Sequence, residues 1–312
     1  MEKKLFTESP LKARPFLKWA GGKTQLLNEL SKRLPKYIKQ SQTIKRYCEP
    51  FVGGGAFFFF LKNHYEIKES ILIDLNEELI LAYKVIQSQH EKLIDLLKKI
   101  EKNYLEKNDE ERKKFYYKIR SLYNKQMHNF DYKRENKQWV ERTKYLIFLN
   151  KTCFNGLFRL NSKGEFNVPF GRYKNPTICD EKNLKEVHRA LKGVTVISDD
   201  FEKANMYIKK ETFVYFDPPY KPISNSSYFT SYSKEGFTDS DQKRLSQFYK
   251  KMDKGNAYLL LSNSDPKNED PENNFFDKLY KKFTIERVDA NRFINCDPKG
   301  RGSIKELIIK NY

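Results

Sequence analysis

One stretch near the N-terminus restricts the possible fold more than any other part of the sequence. A short strand ending near Cys48 runs into the glycine-rich segment Glu49–Gly55, and a helix is predicted to begin at about Ala56. Ile71–Asp74 has the continuous apolar character of a buried parallel strand and ends on an acid. This order of strand, glycine loop, helix, strand and acid is typical of a nucleotide-binding α/β unit.

Apolar runs in the last third of the chain extend the same pattern. Three of them predict strands and two more predict a closing antiparallel pair: Val194–Ser198, Phe213–Phe216, Tyr258–Ser262, Phe283–Ala290 and Ile304–Ile309. One sheet is therefore predicted to be built from both ends of the chain, around an insert of roughly residues 80–190.

The insert has two parts of different character. From about Glu77 to Asn150 the periodicity is helical, and the nearly all-charged stretch 101–114 within it predicts a solvated segment. Beyond it, the extended runs Leu157–Leu160 and Glu165–Pro169 flank a short loop with a glycine, which predicts a β-hairpin. Its proline places the hairpin at the edge of a sheet or outside the main sheet.

Charge and length limit the classes of protein that remain. The 312 residues include 60 Lys+Arg and 41 Asp+Glu, and the net charge of +19 indicates a polyanionic partner, usually nucleic acid. A surface that is merely solvated by its lysines is the alternative. Neither the four cysteines nor the four histidines have metal-ligand spacing, so no metal site is predicted. Without a signal peptide or an apolar span of about 18 residues, we expect a soluble, cytoplasmic protein without a membrane partner.

The glycine loop and the acid that follows it predict an adenosine-containing cofactor. Gly53 and Gly55 match the first two positions of the pattern G-x-G-x-x-G, whereas the third falls on Phe58. Asp74 lies 20 residues past Gly54, at the end of a strand, where an acid suits the two hydroxyls of a ribose. A purely structural turn and a helix N-cap at Asp74 are the alternatives. A phosphate-binding P-loop at Gly21–Thr24 is rejected, because that motif requires glycine at the position of Leu17.

The tetrapeptide Asp217–Tyr220 follows an aromatic strand and carries the most specific chemistry. Its prolines, Pro218 and Pro219, cannot continue a ladder and hold the backbone rigidly. An adenine amino group is a poor nucleophile because its lone pair is delocalised into the ring. The Asp217 carboxylate and the Pro218 carbonyl can accept its two hydrogens while Tyr220 stacks on the base, so positioning for in-line attack supplies much of the rate without a metal or a covalent intermediate. A proline-rich turn without chemistry is the alternative.

These motifs together resemble the DNA adenine-N6 methyltransferase family, in the subclass whose cofactor motifs precede the target-recognition region. Phe16–Lys23 looks like the family's N-terminal cofactor motif, and the glycine loop, Asp74 and Asp217–Tyr220 follow in the family's order. Asn150–Pro176 is similar to the recognition hairpin of members that methylate GATC, and the tail from Asn291 to Gly302 also fits. The resemblance covers nearly the whole chain.

The resemblance implies a Rossmann-like, S-adenosylmethionine-dependent methyltransferase sheet of the α/β class, with an inserted helical and β-hairpin DNA-recognition domain. Residues 1–80 and 190–312 would form the catalytic domain, and 81–189 the insert. S-adenosyl-L-methionine would bind at the carboxyl ends of the strands, where the strand order reverses and the glycine loop faces Asp217.

The resemblance also implies residue roles at the cofactor site. The implied catalytic residues are Asp217, Pro218, Pro219 and Tyr220. The implied cofactor-binding residues are Trp19, Lys23, Phe51, Gly53, Gly55, Asp74, Asp200, Phe201 and Asp217. For Asp200 and Phe201, which follow a strand, the start of a helix is an equal alternative to a contact with the cofactor adenine.

A further set of residues is implied to bind double-stranded DNA: Lys18, Asn155, Arg159, Pro169, Arg172 and Tyr173. The target adenine must be flipped out of the duplex, at a cost of a few kcal/mol. Arg159 would make a bidentate contact to guanine O6 and N7, worth about 1–3 kcal/mol, and Tyr173 would wedge into the opened stack. A simple phosphate contact is the alternative for each.

Two rival functions remain. One is methylation of another amine, cytosine N4 or an RNA adenine, although cytosine enzymes more often carry serine where Asp217 stands. The other is a DNA-binding module that has lost activity, against which the intact Asp74, Asp217 and Tyr220 argue. We expect a monomer in a bacterial or phage-infected cell, near the nucleoid, with a companion restriction endonuclease outside any stable complex. A solitary regulator and a phage enzyme stay open as alternatives.

Overall fold

The computed structural model of the chain describes residues 9–19, 21, 25–127, 130–220, 237–291 and 303–312. The helices and strands in these ranges are, in chain order, α1 (Leu27–Lys32), α2 (Lys36–Ser41), β1 (Thr43–Glu49), α3 (Ala56–His64), β2 (Glu66–Asp74), α4 (Glu77–Leu105), α5 (Asp109–Gln126), α6 (Lys137–Thr152), α7 (Glu181–Leu191), β3 (Thr195–Ser198), β4 (Phe213–Phe216), α8 (Asp239–Lys254), β5 (Tyr258–Ser264), α9 (Phe275–Leu279), β6 (Thr284–Asn291) and β7 (Ser303–Lys310).

The strands form one seven-stranded sheet in the order β3-β2-β1-β4-β5-β7-β6. The first five are parallel, and β7 lies antiparallel between β5 and β6. The chain thus runs outward from β1 to one edge and then outward from β4 to the other. The order reverses between β1 and β4, which is where open α/β sheets bind their ligands. The α/β fold, the sheet built from both ends of the chain and the closing antiparallel pair are confirmed.

The two faces of the sheet are covered by different helices because neighbouring residues of a buried strand point to opposite sides. Ile71 and Ile73 pack into a cluster with α8 and α9, whereas Leu72 between them packs into the larger cluster with α3, α4, α6 and α7. The same alternation separates Val214 from Tyr215 on β4. Burial on both faces explains why these strands are continuous apolar runs in the sequence.

The stretch 101–114 is only partly solvated. It contains the end of α4 and the start of α5, and Tyr104 within it is fully buried. The Glu101 carboxylate accepts hydrogen bonds from the backbone N–H groups of Ile178 and Cys179, at 2.7 and 3.0 Å. Glu101, one of the charged residues of this stretch, therefore fixes the chain just before α7.

The predicted hairpin lies outside the seven-stranded sheet, and its arms meet without forming regular strands. The arms are joined by one bridge between Leu160 and Phe166, by the Asn167 N–H donating to the Arg159 carbonyl at 3.1 Å, and by the Asn161 N–H donating to the Glu165 carbonyl at 2.9 Å. Side chains of α5 hold the second arm instead. Tyr116 donates to the Val168 carbonyl at 2.8 Å, for example. The hairpin is therefore fixed against a helix.

A buried ion pair ties α4 to α6. Arg142, 1% exposed, donates from Nε to both carboxylate oxygens of Glu78 at 2.9 Å, and from Nη1 to the Tyr123 carbonyl. Because α4 also packs on β2 and β3, the predicted domain boundary at residues 80/81 falls inside a helix that serves both parts. The division into a catalytic domain and an insert stays a prediction.

Among the described residues, no helix combines the length and the apolar character needed to cross a bilayer. Nor do histidine, cysteine and acidic side chains gather there in a group that could hold a metal ion.

Candidate active site

Three acids end three neighbouring strands at the point where the strand order reverses. Glu49 is the last residue of β1, Asp74 is the last residue of β2, and Asp217 directly follows β4. Because the sheet order is β2-β1-β4, Glu49 lies between the other two. The two segments that the sequence singles out, the glycine loop after β1 and the tetrapeptide after β4, therefore emerge side by side.

The glycine loop is bound tightly to the end of β2. Gly53, with φ of +49°, donates its N–H to Oδ2 of Asp74 at 2.9 Å. Gly55, with φ of +70°, begins α3, and a Cβ there would lie 2.5 Å from the Tyr83 hydroxyl. Glycine is required at this position both for its backbone conformation and for the close approach of Tyr83.

Asp74 joins the loop to the next helix without capping that helix. Its Oδ1 accepts the N–H of Asn76 at 2.9 Å, and the N-cap of α4 is Asn76, whose side chain accepts the N–H of Leu79. Burial raises the pKa of Asp74, while its two backbone hydrogen bonds oppose that rise. Each carboxylate oxygen retains a second lone pair that can accept a hydroxyl hydrogen.

Glu49 is a site residue that the sequence reasoning missed. It is 2% exposed, and burial raises its pKa well above the usual value, with Asp217 and Asp74 adding to the rise. The Tyr47 hydroxyl donates to its Oε2 at 2.8 Å, which opposes that rise. Burial and the two neighbouring acids therefore favour the protonated form of Glu49. Its signal in the sequence is an acid at the end of a strand, the same signal that identified Asp74.

An aromatic cluster lies beside the loop. The rings of Phe51 and Phe201 stack with centroids 5.3 Å apart, and Phe237 packs edge-on against Phe51 at 5.7 Å. Asp200 begins a short 3-10 turn, since its side chain accepts the N–H of Glu202 at 3.0 Å, and it pairs through both oxygens with Arg244. Asp200 therefore lies at the start of a helical turn, which is the alternative that the sequence offered to a contact with the cofactor adenine.

Neighbouring elements hold the tetrapeptide along its length. Ser262 on β5 donates to Oδ1 of Asp217 at 2.9 Å. Gln242 on α8 donates to the Pro219 carbonyl at 3.3 Å, and Tyr220 donates its hydroxyl to Oε2 of Glu306 on β7 at 2.6 Å. The partners Ser262 and Glu306 were not predicted, because single polar residues in apolar strands carry no distinctive pattern.

Three asparagine side chains hold the segment that precedes Trp19. Each pairs with both the N–H and the carbonyl of one residue: Asn63 with Ala13, Asn183 with Arg14, and Asn150 with Lys18, all at 2.8–3.1 Å. The amides thereby replace the partner strand that the backbone of this segment lacks. Because the asparagines belong to α3, α7 and α6, the segment is fixed against several elements at once.

Trp19 touches both the glycine loop and the hairpin region. A Cβ on Gly53 would lie 3.2 Å from its ring, and the ring stacks on Phe158 with centroids 5.1 Å apart. The neighbouring Lys18 places its ammonium 5.4 Å from the centre of the Tyr173 ring. Lys23 and residues 292–302 of the predicted tail lie outside the described residues.

The remaining predicted DNA-binding residues lie in and beside the hairpin. Arg159 is half-buried, and its Nε donates to Oδ1 of Asn167 at 2.8 Å. Asn155, Pro169 and Arg172 are exposed, and the Pro169 carbonyl accepts the N–H of Phe154 at 2.9 Å. Asn155 and Arg172 also have positive φ, of 55° and 54°. The structure thus brings Lys18 and Tyr173 together, whereas Arg159 is held within its own hairpin.

Comparison with known proteins gives consistent matches. The family model described as D12 class N6 adenine-specific DNA methyltransferase matches residues 19–294. The chain is 50% identical to the Type II methyltransferase M.MjaIII of Methanocaldococcus jannaschii, over 97% of this chain and 100% of the relative. It is 36% identical to the Type II methyltransferase M1.LlaDCHI of Lactococcus lactis subsp. cremoris, over 99% of each. It is 34% identical to a DNA adenine methylase of Haemophilus influenzae, over 98% of this chain and 96% of the relative.

Proposed function

Because the chain belongs to the D12 class of N6 adenine-specific DNA methyltransferases, we propose that it methylates adenine N6 within GATC in double-stranded DNA. Membership makes it an enzyme that transfers a methyl group from S-adenosylmethionine to adenine in DNA. The GATC site is supported by the likeness of Asn150–Pro176 to the hairpin of members that methylate GATC, and by the relative called a DNA adenine methylase.

The groups at the strand ends fit S-adenosylmethionine. Asp74 has lone pairs for the ribose hydroxyls, and the half-buried Phe51 ring, which stacks on the buried Phe201, offers an apolar surface for the adenine. Asp74 and Asp217 end the strands on either side of β1, where a cationic ligand would lie between them. Trp19, Lys23, Gly53, Gly55 and Asp200 complete the proposed cofactor set. When bound, S-adenosylmethionine supplies an electrophilic methyl group on a positively charged sulfur.

The proposed chemistry belongs to the tetrapeptide. The Asp217 carboxylate and the Pro218 carbonyl would accept the two hydrogens of the adenine amino group, which draws the nitrogen toward tetrahedral geometry and frees its lone pair. Pro219 would keep this turn rigid, and the Tyr220 ring would stack on the base. The nitrogen would then attack in line, with most of the rate coming from orientation.

The base must leave the duplex to reach these groups. We propose that the target adenine is flipped, at a cost of a few kcal/mol, and that Tyr173 fills part of the opened stack. Arg159 would read a guanine, whereas Lys18, Asn155, Pro169 and Arg172 would contact neighbouring bases and phosphates. The surplus of lysine would make binding salt-dependent.

We further propose that one chain acts alone, with residues 1–80 and 190–312 catalytic and 81–189 recognising DNA. Two relatives are named Type II methyltransferases, which favours a restriction–modification role with an endonuclease that forms no stable complex.

The observation that carries the proposal is the adjacency of β1 and β4, which brings the glycine loop beside Asp217. The test is Asp217→Ala, with the exposed Asp270→Ala as control. We expect the first variant to lose methyl transfer by at least about a thousandfold while binding cofactor and GATC duplex within about threefold of wild type. Turnover by that variant, or labelled methyl groups mapped outside adenine in GATC, would contradict the proposal.

A further inference from the structure

Two buried hydroxyls form a hydrogen-bonded chain that ends on Asp217. Ser262 Oγ donates to Oδ1 of Asp217 at 2.9 Å, and the Tyr215 hydroxyl lies 2.8 Å from Ser262 Oγ. Serine has one hydroxyl hydrogen, and here the carboxylate receives it. Tyr215 must therefore donate to Ser262, so both bonds run toward Asp217.

The two hydroxyls come from neighbouring strands in the buried middle of the sheet. Tyr215 is on β4 and Ser262 is on β5, adjacent parallel strands in the middle of the sheet. Their exposed fractions are 1% and 0%, so the chain does not carry protons to bulk water. Its effect on Asp217 is therefore one of orientation.

We propose that Ser262, and Tyr215 through it, are positioning residues for methyl transfer. A carboxylate turns easily about its last torsion, which has a broad energy profile. A hydrogen bond to one of its oxygens fixes that torsion, and hydrogen bonds to charged groups are the stronger ones. A reacting group displaced by about 1 Å loses on the order of a hundredfold in rate. This inference rests on the proposed role of Asp217 in holding the adenine amine.

The test compares Ser262→Ala, Ser262→Cys and Tyr215→Phe with Ser70→Ala. Ser70 is buried on β2, and its Oγ is without a hydrogen-bond partner in the part of the chain that the structure describes. Cysteine keeps nearly the size of serine but is a weak donor, so it separates the hydrogen bond from packing. For both Ser262 variants we expect kcat to fall at least about tenfold, with KM for DNA and cofactor within about twofold of wild type. Tyr215→Phe should show a smaller loss of kcat, and Ser70→Ala none.

A wild-type kcat in Ser262→Ala would overturn the inference. So would a wild-type kcat in Ser262→Cys alone, because packing and not the hydrogen bond would then explain the loss in Ser262→Ala. Losses of kcat that are matched by losses of ligand binding and of folding would also overturn it. Asp217→Ala is assayed in parallel. If it is inactive while Ser262→Ala is fully active, only the positioning role fails. If Asp217→Ala is active, the proposed function itself fails.

Discussion

Tyr220 donates its hydroxyl to Oε2 of Glu306 at 2.6 Å, which ties the end of the tetrapeptide to the antiparallel strand β7. The bond involves only the hydroxyl of the side chain, so the ring can be altered separately to test whether it stacks on a base. The hydrogen-bonded hydroxyl of Tyr220 and the proposed stacking of its ring can therefore be tested separately.

Tyr220→Phe and Tyr220→Ala separate those roles. We expect the phenylalanine variant to keep kcat/KM on a GATC duplex within about threefold, because the ring is retained. The alanine variant should lose about 5- to 150-fold, because stacking of one base on an aromatic ring contributes about 1–3 kcal/mol. Equal losses in the two variants would assign the effect to the Glu306 bond and not to stacking.

Arg159→Ala tests recognition of one base. Its Nε donates to Oδ1 of Asn167, so the hairpin already orients the guanidinium before DNA binds. We expect discrimination against substitution of one guanine to fall about 5- to 150-fold, measured as kcat/KM on a set of singly altered duplexes. Lys163→Ala, in the exposed hairpin loop, is the control and should weaken all sequences alike. An unchanged site preference in Arg159→Ala would remove it from the recognition set.

Glu49→Gln tests the raised pKa of the buried Glu49 carboxyl. With its pKa raised in the folded state, Glu49 keeps its proton after the unfolded chain has lost its own, so wild-type stability falls as pH rises above about 4.5. Glutamine carries no titrating proton and can still accept the Tyr47 bond. From pH about 5 up to the folded-state pKa of Glu49, the free energy of unfolding of the cofactor-free variant should rise relative to wild type, by up to about 1.4 kcal/mol per pH unit. A difference that stays constant with pH would mean that Glu49 is ionised in the folded protein.

The sheet could be predicted where strands are buried on both faces. All four residues of β4 are buried, and its bounds, Phe213–Phe216, equal the predicted ones. The strand β1 is indicated only by its end, because Lys45 and Arg46 interrupt its apolar run. The reversal between β1 and β4 could be expected from resemblance, since a glycine loop and a catalytic turn must meet.

Long-range polar pairing was beyond prediction from the sequence. Asn63, Asn150 and Asn183 hold partners 50, 132 and 169 residues away, and no local pattern marks a side chain that substitutes for a strand. The same holds for the hairpin, whose second arm bonds to α5, as in the reciprocal bonds between Asn124 and Phe166. Periodicity reports burial, whereas these contacts depend on which polar groups would otherwise lack partners.

The contact of Trp19 with both Gly53 and Phe158 has a thermodynamic consequence. A cofactor that displaces the indole at the glycine loop would also change its packing on Phe158, so binding of S-adenosylmethionine and binding of DNA at the proposed sites would be energetically linked. Such linkage is reciprocal: if bound S-adenosylmethionine raises the affinity for DNA by some factor, bound DNA raises the affinity for S-adenosylmethionine by the same factor.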